Sequence, residues 1–169
     1  KMETSLGDLV IELDRHRAKI TVNNFLAIVA QGQYDNSIFH RVESEFVVQG
    51  GGYNQQYEAL KDGKPIFNES GNGLKNEEGT IAMARLTGPH SATRQFFFNV
   101  NDNPSLDPGR KWGYAVFGAV VEGFEVLEAM KAVEVGDNEK LGWPTVPKKM
   151  LILKRVTILK PEVVSLEVN

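Results

Sequence analysis

Alternation of apolar and polar side chains near the start of the chain predicts a β-strand. Leucine and isoleucine occupy every second position of Asp8–Leu13, which is the period of two that a half-buried strand requires. The preceding residues, Ser5–Asp8, are typical of a tight turn. We therefore expect Lys1–Thr4 to pair with this strand as a hairpin.

Two other segments have the period of an amphipathic helix. In the first, which opens at Thr21, apolar residues recur at the spacing i, i+3, i+4, i+7. Thr21 is expected to cap the free N–H groups at the start of this helix, and Gly32 is expected to take the left-handed position at its end. The second helix is predicted from four apolar residues at helical spacing: Val126, Ala129, Met130 and Val133.

The segment from Ile38 to Gly118 contains short apolar runs separated by Gly, Pro, Asn and Asp, as expected of strands joined by loops. The runs are FVVQ, TIAMAR, QFFFNV and YAVFGAV, and a further β-type run covers Met150–Leu159. In QFFFNV, at least one of the three phenylalanines must face the opposite side of its strand from the others. Many strands with only two helices predict a mainly β protein, a closed barrel with helices covering its ends.

Length and composition indicate one domain. The chain has 169 residues, of which 41% are hydrophobic and 24% charged, enough to form a hydrophobic core. The pattern contains no repeat, linker or shift in composition. We expect a single domain over residues 1–160 and a loosely attached tail over residues 161–169.

Charge and cysteine content narrow the function classes. The net charge of −3 gives no general attraction to nucleic acid or to an anionic membrane. There is no cysteine, which excludes disulfides, thiolate zinc sites and cysteine nucleophiles. The three histidines lie far apart without carboxylates at ligand spacing, so no metal site is predicted. No run approaches the ~20 apolar residues of a membrane-spanning helix.

Compartment and oligomeric state are only weakly marked in the sequence. The lack of cysteine and the abrupt start at Lys1, close to a predicted strand, favour the periplasm slightly over the cytoplasm. A monomer is the default expectation.

One stretch, Phe39–Gln56, combines a cation with apolar residues and a run of three glycines. Arg41 precedes Phe46 by five positions and Gln49 by eight. Each residue by itself has an ordinary interpretation, since an arginine in a strand is most often in a surface ion pair and Gln49 can satisfy a buried carbonyl. From these residues alone, the stretch is either a surface ion pair beside a flexible turn or a functional site.

Four motifs in order, FHRVESEFVVQGGG, GTIAMAR, SATRQFFFNV and YAVFG, resemble the cyclophilin peptidyl-prolyl cis–trans isomerases, especially the bacterial branch. The resemblance extends over about residues 1–159. It implies an eight-stranded antiparallel barrel capped by two helices, and an enzyme without metal or cofactor that acts on proline-containing peptides and on unfolded or refolding proteins. It also implies that Arg41 is the catalytic arginine. The implied proline pocket is Phe46, Val47, Phe97, Leu106 and Tyr114, and the implied groove positions are Gln49, Ala84, Arg85 and Gln95.

The chain departs from the usual family pattern at several of these positions. Glu43-Ser44-Glu45 replaces the usual Ile-Pro-Gly, and Val47 replaces a methionine. Ser105 stands where many eukaryotic members have a tryptophan, so we expect weak cyclosporin binding. Arg94 replaces a small residue and is expected to narrow or charge the groove. The departures at Glu43–Glu45, Val47 and Ser105 support an alternative function, a proline-segment binding module or chaperone with little turnover.

Overall fold

The computed structural model describes residues 1–160, and its main element is a closed antiparallel β-barrel. Residues 1–160 contain ten strands: β1 Met2–Thr4, β2 Gly7–Leu13, β3 Ser37–Glu43, β4 Val47–Asn54, β5 Thr80–Met83, β6 Phe96–Asn99, β7 Val116–Glu122, β8 Val135–Asn138, β9 Trp143–Pro147 and β10 Ile152–Val156. Eight of them close the barrel in the order β1-β10-β3-β4-β6-β5-β7-β2. The prediction of a closed eight-stranded barrel is therefore confirmed. The predicted tail, residues 161–169, lies outside the described residues.

The hairpin predicted at the start of the chain is present. Strand β1 pairs antiparallel with β2, with Met2 opposite Leu9 and Thr4 opposite Gly7. The Thr4 hydroxyl donates a hydrogen bond to the Gly7 carbonyl at 2.7 Å and accepts one from the Leu6 N–H at 3.1 Å. The turn is thus closed by a side chain as well as by the backbone.

The first helix, α1, spans Lys19–Ala30, so it begins two residues before the predicted cap. The prediction that Thr21 caps it is wrong. Instead the Glu69 carboxylate, from a distant loop, accepts hydrogen bonds from the N–H groups of Ile20 and Thr21 at 3.1 and 2.8 Å. An anion at a helix N-terminus is favoured by the free N–H groups and the helix dipole. Gly32 adopts the predicted left-handed conformation, with a φ of 64°.

The second helix, α2, spans Phe124–Lys131. Its buried side chains are Val126, Leu127 and Met130, whereas Ala129 is exposed and Val133 follows the helix. The helix was therefore predicted correctly, but its inner face is rotated from the predicted one. Among the described residues, neither helix has the length and apolar character of a membrane span.

A small two-stranded sheet, β8 with β9, was not predicted from the sequence. It contributes Trp143, whose ring centroid lies 5.4 Å from that of His40 and 5.9 Å from that of Tyr53. These strands contain Gly, Asp, Asn and Pro instead of a clear apolar alternation. Packing against the barrel, and not the local pattern, therefore determines this sheet.

The apolar side chains form two separate clusters. Phe96 and Phe98 of β6 belong to the main core, with Phe25 at 5.7 Å from Phe96 in an edge-to-face arrangement. Phe97, between them, faces the other way and joins a second cluster with Val47, Ala82 and Val116. The predicted division of the three phenylalanines is thus confirmed, because successive side chains of a strand point to opposite faces. The second cluster lies on the outer face of the barrel and forms the base of the candidate site.

Candidate functional site

A cavity of about 220 Å³ lies above the second apolar cluster. Nine of the ten residues implied by the sequence motifs line it: Arg41, Phe46, Val47, Gln49, Ala84, Arg85, Phe97, Leu106 and Tyr114. The tenth, Gln95, is joined to them because the side-chain N–H of Gln49 donates to its oxygen at 3.0 Å. Residues from five separate stretches of the chain are therefore brought together at one site.

The β3–β4 hairpin brings Arg41 and Gln49 together. They are direct partners in the antiparallel register, and an Arg41 Nη1–H donates to the Gln49 Oε1 at 3.2 Å. The turn that connects the strands is closed by the Phe46 N–H, which donates to the Glu43 carbonyl at 2.9 Å. An antiparallel register sets cross-strand neighbours, so the eight-residue spacing in the sequence becomes a direct contact.

The guanidinium of Arg41 is held on two sides. Its Nε–H and Nη2–H donate to the Glu43 Oε1 at 2.9 and 2.6 Å, while Nη1–H bonds to Gln49. A guanidinium has five N–H donors, so within the described part of the chain one donor on each terminal nitrogen remains for a bound molecule. Arg41 also lies over the Phe46 ring, with its Cζ 6.0 Å from the ring centroid. The cation is thus oriented beside an apolar surface.

The opposite wall is built from aromatic rings and a second arginine. The Phe97 and Tyr114 ring centroids are 5.7 Å apart at 71°. Arg85 lies over Tyr114, with its Cζ 4.6 Å from the ring centroid, and its N–H groups donate to the carbonyls of Trp112 at 2.8 Å and Leu86 at 3.1 Å. The Arg85 side chain therefore supports the wall by binding backbone carbonyls, in addition to lining the cavity.

The glycine run permits close packing beside the site. A Cβ atom on Gly52 would overlap the side chain of Gln95. Only glycine at this position therefore lets the Gln95 side chain pack against β4. Gly51 has a φ of 82°, which disfavours other residues. Both glycines therefore allow neighbouring side chains to approach β4 closely.

The expectation that Arg94 narrows or charges the groove is wrong. Arg94 is only 3% exposed, and its guanidinium donates to three backbone carbonyls, those of Gly51, Lys61 and Gln33. It also lies over the Tyr34 ring. The residue has turned inwards because these carbonyls, from three different segments, supply the acceptors that a buried guanidinium requires. It does not line the candidate cavity.

Two features of the site were missed in the sequence. Glu43 was noted only as a departure from the family pattern, not as the partner of Arg41. Because residues two apart on a strand face the same side, this pairing was recognisable from the spacing. The second feature is a larger cavity of about 390 Å³, to which β9 contributes Trp143, Pro144 and Thr145. No sequence signal placed β9 beside Arg41.

His40 lies next to Arg41 and is fully buried, and neither ring nitrogen makes a hydrogen bond within residues 1–160. Burial lowers the pKa of His40 to about 4, and the positive charge of Arg41 acts in the same direction. The imidazole is therefore uncharged at neutral pH.

The burial of His40 makes stability depend on pH. Its unfolded pKa is about 6.5, so between about pH 6.5 and pH 4 the unfolded chain binds more protons than the folded one. The contribution of His40 to the free energy of unfolding is complete above pH 6.5. It falls as the pH decreases towards 4, by up to about 3 kcal/mol. Urea unfolding at several pH values should show a steeper loss for the wild type than for His40→Phe. Equal pH slopes would contradict this.

Comparison with known proteins agrees with the geometry. The family model for cyclophilin-type peptidyl-prolyl cis-trans isomerases matches residues 1–156. The chain is 46% identical over 163 residues to the peptidyl-prolyl cis-trans isomerase cyp18 of Streptomyces antibioticus, covering 94% of this chain and 97% of that protein. It is 44% identical over 159 residues to peptidyl-prolyl cis-trans isomerase B of Escherichia coli K12, covering 92% and 96%.

A solved structure gives the same result at the level of the fold. The cyclophilin-type isomerase of Cryptosporidium parvum, crystallised in the presence of the dipeptide Ala-Pro, superposes with a TM-score of 0.78 at 27% identity. The match covers 95% of this chain and 98% of that one. Because the family model spans nearly all the described residues and the barrel is shared, the chain belongs to the cyclophilin-type peptidyl-prolyl cis–trans isomerases.

Proposed function

We propose that the chain catalyses rotation about X–Pro peptide bonds in the cavity of about 220 Å³, with Arg41 as the catalytic residue. The observation that carries this proposal is the guanidinium of Arg41, which is held by Glu43 and Gln49 at the edge of an apolar pocket. Two of its N–H donors have no hydrogen-bond partner among residues 1–160. Family membership supports the reaction, and the geometry supports the assignment of roles.

The chemistry requires a donor but no nucleophile. Resonance in the X–Pro amide gives a rotation barrier of ~18–20 kcal/mol, and no bond is broken during the reaction. At the twisted transition state the proline nitrogen becomes pyramidal and recovers its lone pair, which then accepts a hydrogen bond. A donor at this position stabilises the transition state more than either planar ground state. Arginine suits the task because it is always protonated and its donors are rigidly spaced.

The apolar wall has a complementary role. Phe46, Val47, Phe97, Leu106 and Tyr114 hold the proline ring while the preceding carbonyl turns. They also keep water away from the guanidinium, which strengthens its interaction with the nitrogen. Gln49, Gln95 and the backbone at Ala84 are proposed to bind the flanking peptide.

The proposed substrates are proline-containing peptides and unfolded or refolding proteins. The C. parvum relative was crystallised with Ala-Pro, and this chain has an apolar cavity beside an arginine in the same fold. No further component is needed for the reaction. We propose that the protein acts as a monomer, since the site is formed by residues of a single chain.

A second candidate, binding of proline segments with little turnover, is favoured by one observation. Glu43 engages Arg41 through two hydrogen bonds, and this carboxylate opposes part of the positive charge. The test is NMR exchange spectroscopy on an Ala-Pro-Phe peptide at catalytic protein concentration. Isomerase activity predicts exchange far above the uncatalysed rate, whereas a binding module gives chemical-shift changes without faster exchange.

We expect weak cyclosporin inhibition, because Ser105 stands where many eukaryotic members of the family have a tryptophan. Ser105 is exposed in a short 3₁₀ turn, Pro104–Leu106, beside the cavity residue Leu106. Ser105→Trp should tighten inhibition by about tenfold, through ~1–2 kcal/mol of aromatic burial. The measurement is the inhibition constant of both proteins, with Ser44→Trp as the control. Tight inhibition of the natural sequence would contradict the proposal.

A further inference from the structure

Arg41 and Gln49 separate two cavities. On one side is the cavity of about 220 Å³ with the aromatic wall, and on the other is the cavity of about 390 Å³. Both residues line both spaces. Consider a bound peptide with its proline ring in the first cavity and its proline nitrogen facing Arg41. The residue next to the proline then lies beside the second cavity, which has room for a long side chain.

The second cavity has a distinct chemistry. It is lined by His40, Arg41, Glu43, Gln49, Trp143, Pro144 and Thr145. Trp143 is 38% exposed and packs against His40 and Tyr53, so its indole offers a supported apolar surface. This surface suits the aliphatic stem of a long side chain.

Glu43 determines the charge of this space. Both hydrogen bonds from Arg41 end on its Oε1, and no hydrogen bond within residues 1–160 reaches its Oε2. The Glu43 side chain is 35% exposed. A cation that approaches Oε2 is closer to the carboxylate than to the guanidinium. The carboxylate already offsets part of the guanidinium charge, since Glu43 Oε1 lies 2.6 Å from Arg41 Nη2. An anion in the same place is repelled by the nearest charge.

We propose that the second cavity binds the side chain of a residue next to the proline, and that Glu43 makes it select a basic side chain over an acidic one. The inference rests on the proposed isomerase function. It assigns Glu43 as a determinant of specificity, with Trp143 as the support for the aliphatic part. The preferred substrates are therefore prolines flanked by lysine or arginine.

The experiment compares kcat/KM for peptides that carry Lys, Ala or Glu at the position before or after the proline. In the wild type, kcat/KM for the Lys peptide should exceed kcat/KM for the Glu peptide in at least one of the two series. Glu43→Gln should lower that Lys-to-Glu ratio by about fivefold to tenfold at low ionic strength, because the glutamine keeps an oxygen acceptor for Arg41 but loses the charge. The ratio in the wild type should also fall as salt is added.

Controls separate charge from structure. Glu45→Gln removes the same charge two residues away, from an exposed residue outside both cavities, and should leave the ratio unchanged. Trp143→Ala should lower kcat/KM for the Lys and Glu peptides relative to that for the Ala peptides, because it removes the surface against which a long side chain of either sign packs. Peptide ratios cancel any general effect of a substitution on turnover or folding.

The outcomes distinguish the inference from the proposed function. Turnover of the Ala peptides by the wild type establishes that the isomerase is active. If those peptides react and neither series shows a shift in the Lys-to-Glu ratio on Glu43→Gln, the inference is wrong while the function stands. If the Ala peptides do not react, the proposed function itself is wrong.

Discussion

Replacement of Arg41 with alanine is expected to lower kcat/KM by roughly two to three orders of magnitude. This corresponds to about 2.7–4 kcal/mol of lost transition-state stabilisation, by analogy with removal of one oriented donor in other active sites. The loss should appear mainly in turnover, since the donor acts chiefly when the proline nitrogen becomes pyramidal. NMR exchange spectroscopy at several peptide concentrations separates turnover from binding.

Arg41→Lys should recover only part of the activity, because an ammonium group cannot reproduce the planar fork that bonds Glu43 and Gln49 together. Both variants should remain folded. The side chains of Arg41 and Glu43 are each 35% exposed, and ion pairs near the surface contribute about 0–1 kcal/mol to the free energy of unfolding. Thermal melts provide the control. A folded Arg41→Ala variant with wild-type exchange rates would remove Arg41 from the mechanism.

Arg94→Ala is expected to have the largest effect on stability, a loss of about 3–5 kcal/mol. Arg94 is only 3% exposed, and its removal leaves the carbonyls of Gly51, Lys61 and Gln33 without their donor. Each buried carbonyl that loses its donor costs about 1–3 kcal/mol. The substitution also removes the cation above the Tyr34 ring. Urea unfolding of both proteins measures the difference, which corresponds to a Tm lower by roughly 6–20 °C.

An exposed arginine supplies the matched control for this measurement. Arg110→Ala should change stability by no more than about 0.5 kcal/mol, since that residue lies on the surface. Any Arg94→Ala protein that remains folded at low temperature should retain kcat/KM, because Arg94 does not line the cavity. A stable Arg94→Ala variant with reduced activity would restore the earlier expectation that Arg94 shapes the groove.

Part of the site was predictable because four of its residues lie on regular strands: Arg41, Val47, Gln49 and Phe97. The register of an antiparallel hairpin converts the spacing of Arg41 and Gln49 into a cross-strand pair, and alternation along β6 separates Phe97 from the core phenylalanines. The family motifs then identified which of these residues to group. Nine of the ten implied residues line one cavity, although their roles remain predictions.

The failures have a common physical cause. Glu69 caps α1 from 48 positions beyond Thr21, and Arg94 finds its carbonyl acceptors 33 to 61 positions away. Neither partner is encoded in the local pattern of apolar and polar residues. A charged side chain is assigned to the surface or to the interior by acceptors that only the folded chain brings near it.

The sequence by itself determined the type and order of the main elements, since the periods of two and 3.6 depend on residues within a few positions of each other. It also placed glycines at positions 51 and 52, where a Cβ atom would overlap the side chains of Tyr34, Phe96 and Gln95. Only the tertiary structure decided that β9 packs beside β3 and places Trp143 next to His40. It alone shows that Arg41 stands between two cavities, because contacts between distant segments depend on how the barrel closes and not on local spacing.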